Sequence, residues 1–210
     1  DSLSKQLEKE RKGLSSLDPT KKLIILYGIA SGMAYLHSLD ITNNNGLLID
    51  DILIDQHYYP YIDDIKNHEI YQSKYKSIKG DNKILRVLPP EMIDNDNISS
   101  KASDVYLYSM ILYEVLEGNR PFQEINSFKV IDKIRCGERP QLSQYLSDCF
   151  CDLIKRCWSQ EPEKRPTFVD IVNELETNPG FLEDVNEEEY RKYIRYVKGL
   201  EEVSFEYKEE

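Results

Sequence analysis

The 210-residue chain has no long apolar run. A membrane-spanning helix needs roughly 20 consecutive apolar residues, and no stretch here comes near that. Nor is there an excess of positive charge. Lys and Arg number 27 against 38 Asp and Glu, a net charge of -11. That balance argues against nucleic acid or an anionic membrane as the main partner. Cysteine is sparse, at four residues, and no signal peptide is recognisable. Together these point to a reducing, cytoplasmic compartment. No internal repeat is present, which sets aside repeat architectures. The length suits one domain, or most of one. The chain begins at Asp1 and not at Met, as a piece of a longer protein would.

What is present is concentrated between Ser99 and Phe122. From Val105 to Leu116 apolar groups fall on every side: Val105, Leu107, Met110, Ile111, Leu112, Val115 and Leu116, with Tyr106, Tyr108 and Tyr113 between them. A helix apolar all round is buried all round. Ser103 or Asp104 can cap its start, and Gly118 with Pro121 stops it. A buried helix behind Ser-Asp-Val-Tyr and ahead of Gly-x-x-Pro-Phe resembles the core helix of the large lobe of a protein kinase. The resemblance implies that its leading residue, Asp104, anchors the catalytic loop.

Earlier segments are consistent with that resemblance. Asp1 to Gly13 reads as a short polar helix and turn. Asp18 is then a good N-cap with Pro19 at the first helical position. Leu23, Leu26, Tyr27, Ala30, Met33, Ala34 and His37 recur at helical spacing. Gly28, Ser31 and Gly32 let a neighbouring element come close. The phrase from Gly28 to Ser38 resembles the helix before the catalytic loop in kinases of the tyrosine-kinase-like group. His37 reads as a packed histidine rather than a catalyst.

The chemistry of such a lobe belongs between Asn43 and Asp64. The kinase signature is H-R-D-L-x-x-x-N for the catalytic loop and D-F-G for the metal loop. The pieces Ile52–Asp55 and Tyr61–Asp63 fit the hairpin between those loops. Counting back from Ile52 puts Asp51 at the Asn position and the catalytic Asp at Gly46. Counting forward from His37 puts the catalytic Asp at Asn45, because this chain has one residue more than the pattern. Neither count finds a His, an Arg or an Asp. The loop Lys falls on Leu48 or Leu47. The missing Asp would accept the proton of the substrate hydroxyl, and the missing Lys would neutralise charge on the transferring phosphoryl group. Asn-Asn-Asn-Gly is instead good turn chemistry. Asp64-Ile65-Lys66 stands where Asp-Phe-Gly would be. Asp51 and Asp64 therefore hold the two positions where the family places Mg²⁺ ligands, and both offer hard oxygens. A solvated acidic rim of Asp50, Asp51, Asp63 and Asp64 is the alternative.

Lys66 to Leu88 has the length of an activation segment, with Tyr71, Ser73, Tyr75 and Ser77 as candidate phosphosites. Leu88-Pro89-Pro90-Glu91 matches the Ala-Pro-Glu motif that closes it. Such a Glu needs an Arg partner if it is buried. Arg165 provides one, within Cys157-Trp158-x-x-x-Pro162-x-x-Arg165-Pro166-x-Phe168, which resembles the closing signature of tyrosine-kinase-like large lobes. Between these motifs, Phe128, Ile131 and Ile134 mark a short helix, and Tyr145 to Trp158 another. Cys149 and Cys157 on the latter lie about 12 Å apart along a helix axis, which excludes a disulfide between them. Thr167 and Asp170 form a capping-box-like start to the last lobe helix. After Pro179-Gly180, Asn186 can cap a final helix carrying Tyr190, Tyr193, Ile194, Val197 and Leu200 on one side, for docking on the lobe or binding a partner.

No G-x-G-x-x-G loop and no V-A-I-K lysine is present. The expected architecture is therefore mainly α: a kinase-like large lobe at residues 1–177 with a short β-hairpin and no small lobe, then an acidic extension with a helix at 178–210. The resemblance implies a pseudokinase acting as a binding or scaffold module for a protein partner. It implies no cofactor for this lobe alone, and ATP with Mg²⁺ only beside an upstream small lobe. Two other readings stand: a divergent ATP-dependent serine/threonine kinase whose small lobe lies upstream, and a truncated remnant without activity.

Overall fold

The computed structural model describes residues 1–42, 47–62, 84–94 and 99–206. Among them, eight helices and one two-stranded sheet form a mainly α fold. The helices are α1 (Leu3–Arg11), α2 (Pro19–Ser38), α3 (Pro90–Asp94), α4 (Lys101–Glu117), α5 (Ser127–Arg135), α6 (Asp148–Cys157), α7 (Phe168–Thr177) and α8 (Glu187–Glu206). The hairpin pairs β1 (Ile52–Ile54) with β2 (Pro60–Ile62), antiparallel, with Ile52 opposite Ile62 and Ile54 opposite Pro60.

The centre is α4. Every residue from Ser103 to Val115 is buried, polar ones included. Its cap is neither Ser103 nor Asp104. The Ser100 hydroxyl accepts from the Ser103 amide at 3.1 Å, and the helix starts one turn earlier than the apolar pattern does. The reason is that Ser103 and Asp104 are drawn inward to other partners. Gly118 ends the helix at φ +71°, a left-handed conformation that glycine adopts without steric cost.

The other long core helix is α2, which packs on α4, α7, α8 and β2. Asp18 caps it by accepting from the Lys21 amide at 2.9 Å, with Pro19 in the first turn. The buried Tyr108 hydroxyl of α4 donates to the Leu26 carbonyl at 2.9 Å, tying the two helices together. The first helix is polar only on its outer side, since Leu3 and Leu7 are fully buried.

α6 is shorter than the sequence pattern suggests. It begins at Asp148, and Tyr145 is 89% exposed. Ser147 in an extended conformation and Asp148 in the first turn supply a start signal downstream of Leu146. The four cysteines are free thiols. α7 carries a complete capping box between Thr167 and Asp170. α8 lies against α2, with Tyr190, Tyr193 and Ile194 buried. Among the described side chains its packed stripe runs to Val197, and Leu200 is 51% exposed. The first half of this helix is thus docked on the lobe.

Candidate functional site

The hairpin sets the place of the candidate site. A single 3-10 turn, Ile49–Asp51, leads directly into β1, with the Asp51 amide donating to the Leu48 carbonyl at 3.0 Å. Ile52 and Ile54 point into the core while Leu53 is only half-buried. The residues ahead of α1 complete the support. The Ile54 amide donates to the Asp1 carbonyl at 2.9 Å, and Ser2 bridges to Leu53. Asp51 is half-buried on this platform and Asp50 is exposed. Asn45, Gly46, Asp64, Lys66 and the four candidate phosphosites lie outside the described residues.

Both residues that can occupy the loop-lysine position are placed. Leu47 is buried at 1% exposure and belongs to the main core. Leu48 is half-buried and lines an open cleft of about 730 Å³ bounded by α1, residues 47–50, Ile84–Val87 and α4. The cleft carries charges of both signs. Arg11 contacts Glu114 at 3.1 Å and the Gly118 carbonyl at 3.4 Å. Burial raises the Glu114 carboxyl above its ordinary range, and the Arg11 charge only partly opposes this. Arg86 donates to the Phe122 carbonyl.

Behind the site sits a polar anchor built on α4. Asp104, fully buried, lies 2.9 Å from His37 Nε2. The His37 ring also meets Phe168 edge-on at 5.1 Å. His37 is therefore a packed residue that joins α2, α4 and α7.

A second anchor joins α3 to the chain's closing motif. Arg165 makes a bidentate pair with Glu91, at 2.7 and 2.9 Å. It also donates to the Ala102 carbonyl at 2.9 Å and the Ser159 carbonyl at 3.0 Å. The Ser103 hydroxyl donates to Glu91 at 3.0 Å. Burial acts to raise the Glu91 carboxyl, but the hydrogen bond and charge of Arg165 outweigh it, and the net direction is down. The guanidiniums of Arg165 and Arg139 stand over the Tyr106 ring, at 5.0 and 5.2 Å from its centroid. Burial pushes the Tyr106 hydroxyl up to about 12, against the pull of the two cations. Arg139 is the member that sequence reasoning missed. It lies in an irregular stretch with no periodicity, and only its isolation between Glu138 and Pro140 marks it.

A family model described as protein tyrosine and serine/threonine kinase matches residues 1–175, a span that holds the α2 histidine, the hairpin and the Glu91–Arg165 pair. The chain belongs to this family. Relatives agree at lower coverage. A protein of Acanthamoeba polyphaga mimivirus, named as a serine/threonine-protein kinase/receptor, is 35% identical over 164 residues, covering 73% of this chain and 9% of its own. A Dictyostelium discoideum protein named as the serine/threonine-protein kinase drkC is 32% identical over 77% of this chain and 22% of its own length. The serine/threonine/tyrosine-protein kinase HT1 of Arabidopsis thaliana is 32% identical over 77% of this chain and 41% of its own. The chain thus spans less than half the length of each of these relatives.

Family membership raises the question of Mg²⁺ and nucleotide. Mg²⁺ usually takes one or two carboxylates together with substrate phosphates. Of the two carboxylates expected as Mg²⁺ ligands, Asp51 is among the described residues, and the lysine expected in the loop falls on Leu47 or Leu48 by motif spacing. Asp64, the other expected ligand, lies outside the described residues.

Proposed function

We propose that this kinase-family chain works without phosphoryl transfer, as a pseudokinase lobe of the tyrosine-kinase-like group that binds a protein partner in a cytoplasmic signalling assembly. One observation carries the reading: no count through Asn43–Leu48 supplies a carboxylate base or a loop lysine, and Leu47 is locked into the core. Phosphoryl transfer depends almost entirely on positioning and charge stabilisation. An apolar side chain at the lysine position and a turn of asparagines at the base position offer neither. The anchors around Asp104 and Glu91 hold the lobe together independently of that chemistry. Residues 1–177 form the binding lobe in this reading, and 178–210 an extension of it.

A second reading is a divergent serine/threonine kinase whose small lobe lies upstream. It is favoured by the kinase names of the relatives and by Asp51, a carboxylate at a position where the family pattern places a metal ligand, on the turn that leads into the hairpin. A thermal-shift titration separates the two. With ATP, Mg²⁺ or both, the full-length natural protein is expected to show no shift in Tm, since a ligand that binds the native state would raise it by mass action. A combined ATP–Mg²⁺ shift that is lost in Asp51→Ala would favour the second reading.

A further inference from the structure

The family match ends at residue 175, and α8 begins at Glu187. Yet α8 does not hang from the lobe. Its start is held to α2, where the Asn186 amide donates to the Thr20 hydroxyl at 2.8 Å. Its first turns are held to α7, where the Tyr190 hydroxyl donates to the Leu175 carbonyl at 3.1 Å. The next turn reaches the hairpin. The ring of Tyr59, in the β1–β2 turn, lies 4.4 Å from Tyr193 and 5.3 Å from Tyr196, centroid to centroid. Tyr193 in turn meets Tyr27 of α2 edge-on at 6.1 Å.

Gly28 shows how closely these parts are fitted. A Cβ there would overlap the Tyr193 hydroxyl and would come within 2.5 Å of Pro60 Cγ. So α8 and β2 converge on one bare position of α2. The hairpin they share is small. It has two three-residue strands, and its turn is fixed locally by the Asp55 carboxylate accepting from the amides of His57 and Tyr59, at 2.7 and 2.9 Å. A two-stranded hairpin of this size is marginal on its own and needs packing to persist. Asp51 immediately precedes β1, and Ile52 pairs with Ile62 at the far end of the ladder from Tyr59.

We propose that α8 is a strap on the β-hairpin: its tyrosines hold the Tyr59 turn against α2, set the position of the whole ladder, and so fix Asp51 at the hairpin's other end. Lifting α8 loosens the candidate site without disturbing α4. The strap does not depend on whether the chain binds nucleotide. By reciprocity of coupling, loosening the turn also loosens α8.

Amide hydrogen exchange on the full chain tests this. In Tyr193→Ala, peptides covering residues 50–62 should exchange at least about tenfold faster, while α4 keeps its protection. Tyr193 is buried, so the half-exposed Tyr196, whose removal leaves the core intact, provides a second variant. Tyr196→Ala should speed the same peptides by about threefold or more, and Tyr59→Ala should speed residues 187–197 in return. Hairpin protection unchanged in Tyr196→Ala, or lost α8 protection in Tyr193→Ala with the hairpin unaffected, overturns the strap.

Discussion

All three guanidinium nitrogens of Arg165 donate. Two go to Glu91, one of these shared with Ala102, and the third goes to Ser159, with the side chain fully buried. Removing one partner of such a pair strands the other charge in the interior. Arg165→Ala should cost about 3–5 kcal/mol of stability, read as a large fall in Tm. Arg165→Lys should recover little of it, because an ammonium cannot reproduce the fork. The half-buried Glu91 and the buried Glu114 should also act oppositely with pH. Glu91 is held below its ordinary value of 4.5, so its contribution is full above that value and is lost as pH falls through the depressed one. Glu114 is pushed above 4.5, so its cost appears as pH rises from there through the raised value. Glu91→Gln should therefore lower Tm at neutral pH and flatten the acid limb of a Tm–pH curve. Glu114→Gln, which still offers Arg11 an acceptor, should hold or raise Tm at neutral pH relative to its own acid value. Parallel curves for the two variants would contradict both assignments. At this scale, motif residues were readable because their spacing is fixed, as with Glu91, Asp104 and Arg165. Arg139 was not, since its contact with Tyr106 is made purely by tertiary approach.

Helix identity followed from apolar periodicity, whereas helix ends did not. Ser99, Ser100 and Ser103 all precede or sit within the first turn of α4, and any of them is chemically able to cap. What decides is that Ser103 bonds Glu91 and Asp104 meets His37, which leaves Ser100 for the cap. Ser100→Ala should accordingly cost about 1 kcal/mol in denaturant unfolding, with the slope unchanged. Asp104→Asn should cost more, because it alters a fully buried contact rather than an end. Equal, negligible effects would mean that the cap lies elsewhere. α6 follows the same pattern. Its apolar face ran back to Leu146, but the Ser147–Asp148 start signal set the boundary. Spacing alone puts Leu200 on the docked side of α8, yet it is 51% exposed.

Among the described residues, those within 1–175 form a helical kinase-family lobe around α4, and that much was written in the order of its motifs. The site is the less legible part. Its geometry rests on a short hairpin supported from several directions: by Asp1 and Ser2 at one edge, by α2 beneath, and by Tyr193 and Tyr196 at its turn. No local pattern in Ile52–Ile62 announces those supports. The central claim concerns what that site does not do. Transfer of labelled phosphate from ATP to a generic acceptor protein, by the full-length natural protein with Mg²⁺ and beside its Asp64→Ala variant, tests it most directly. The account predicts background transfer that is the same in both. Robust transfer abolished by Asp64→Ala would contradict it.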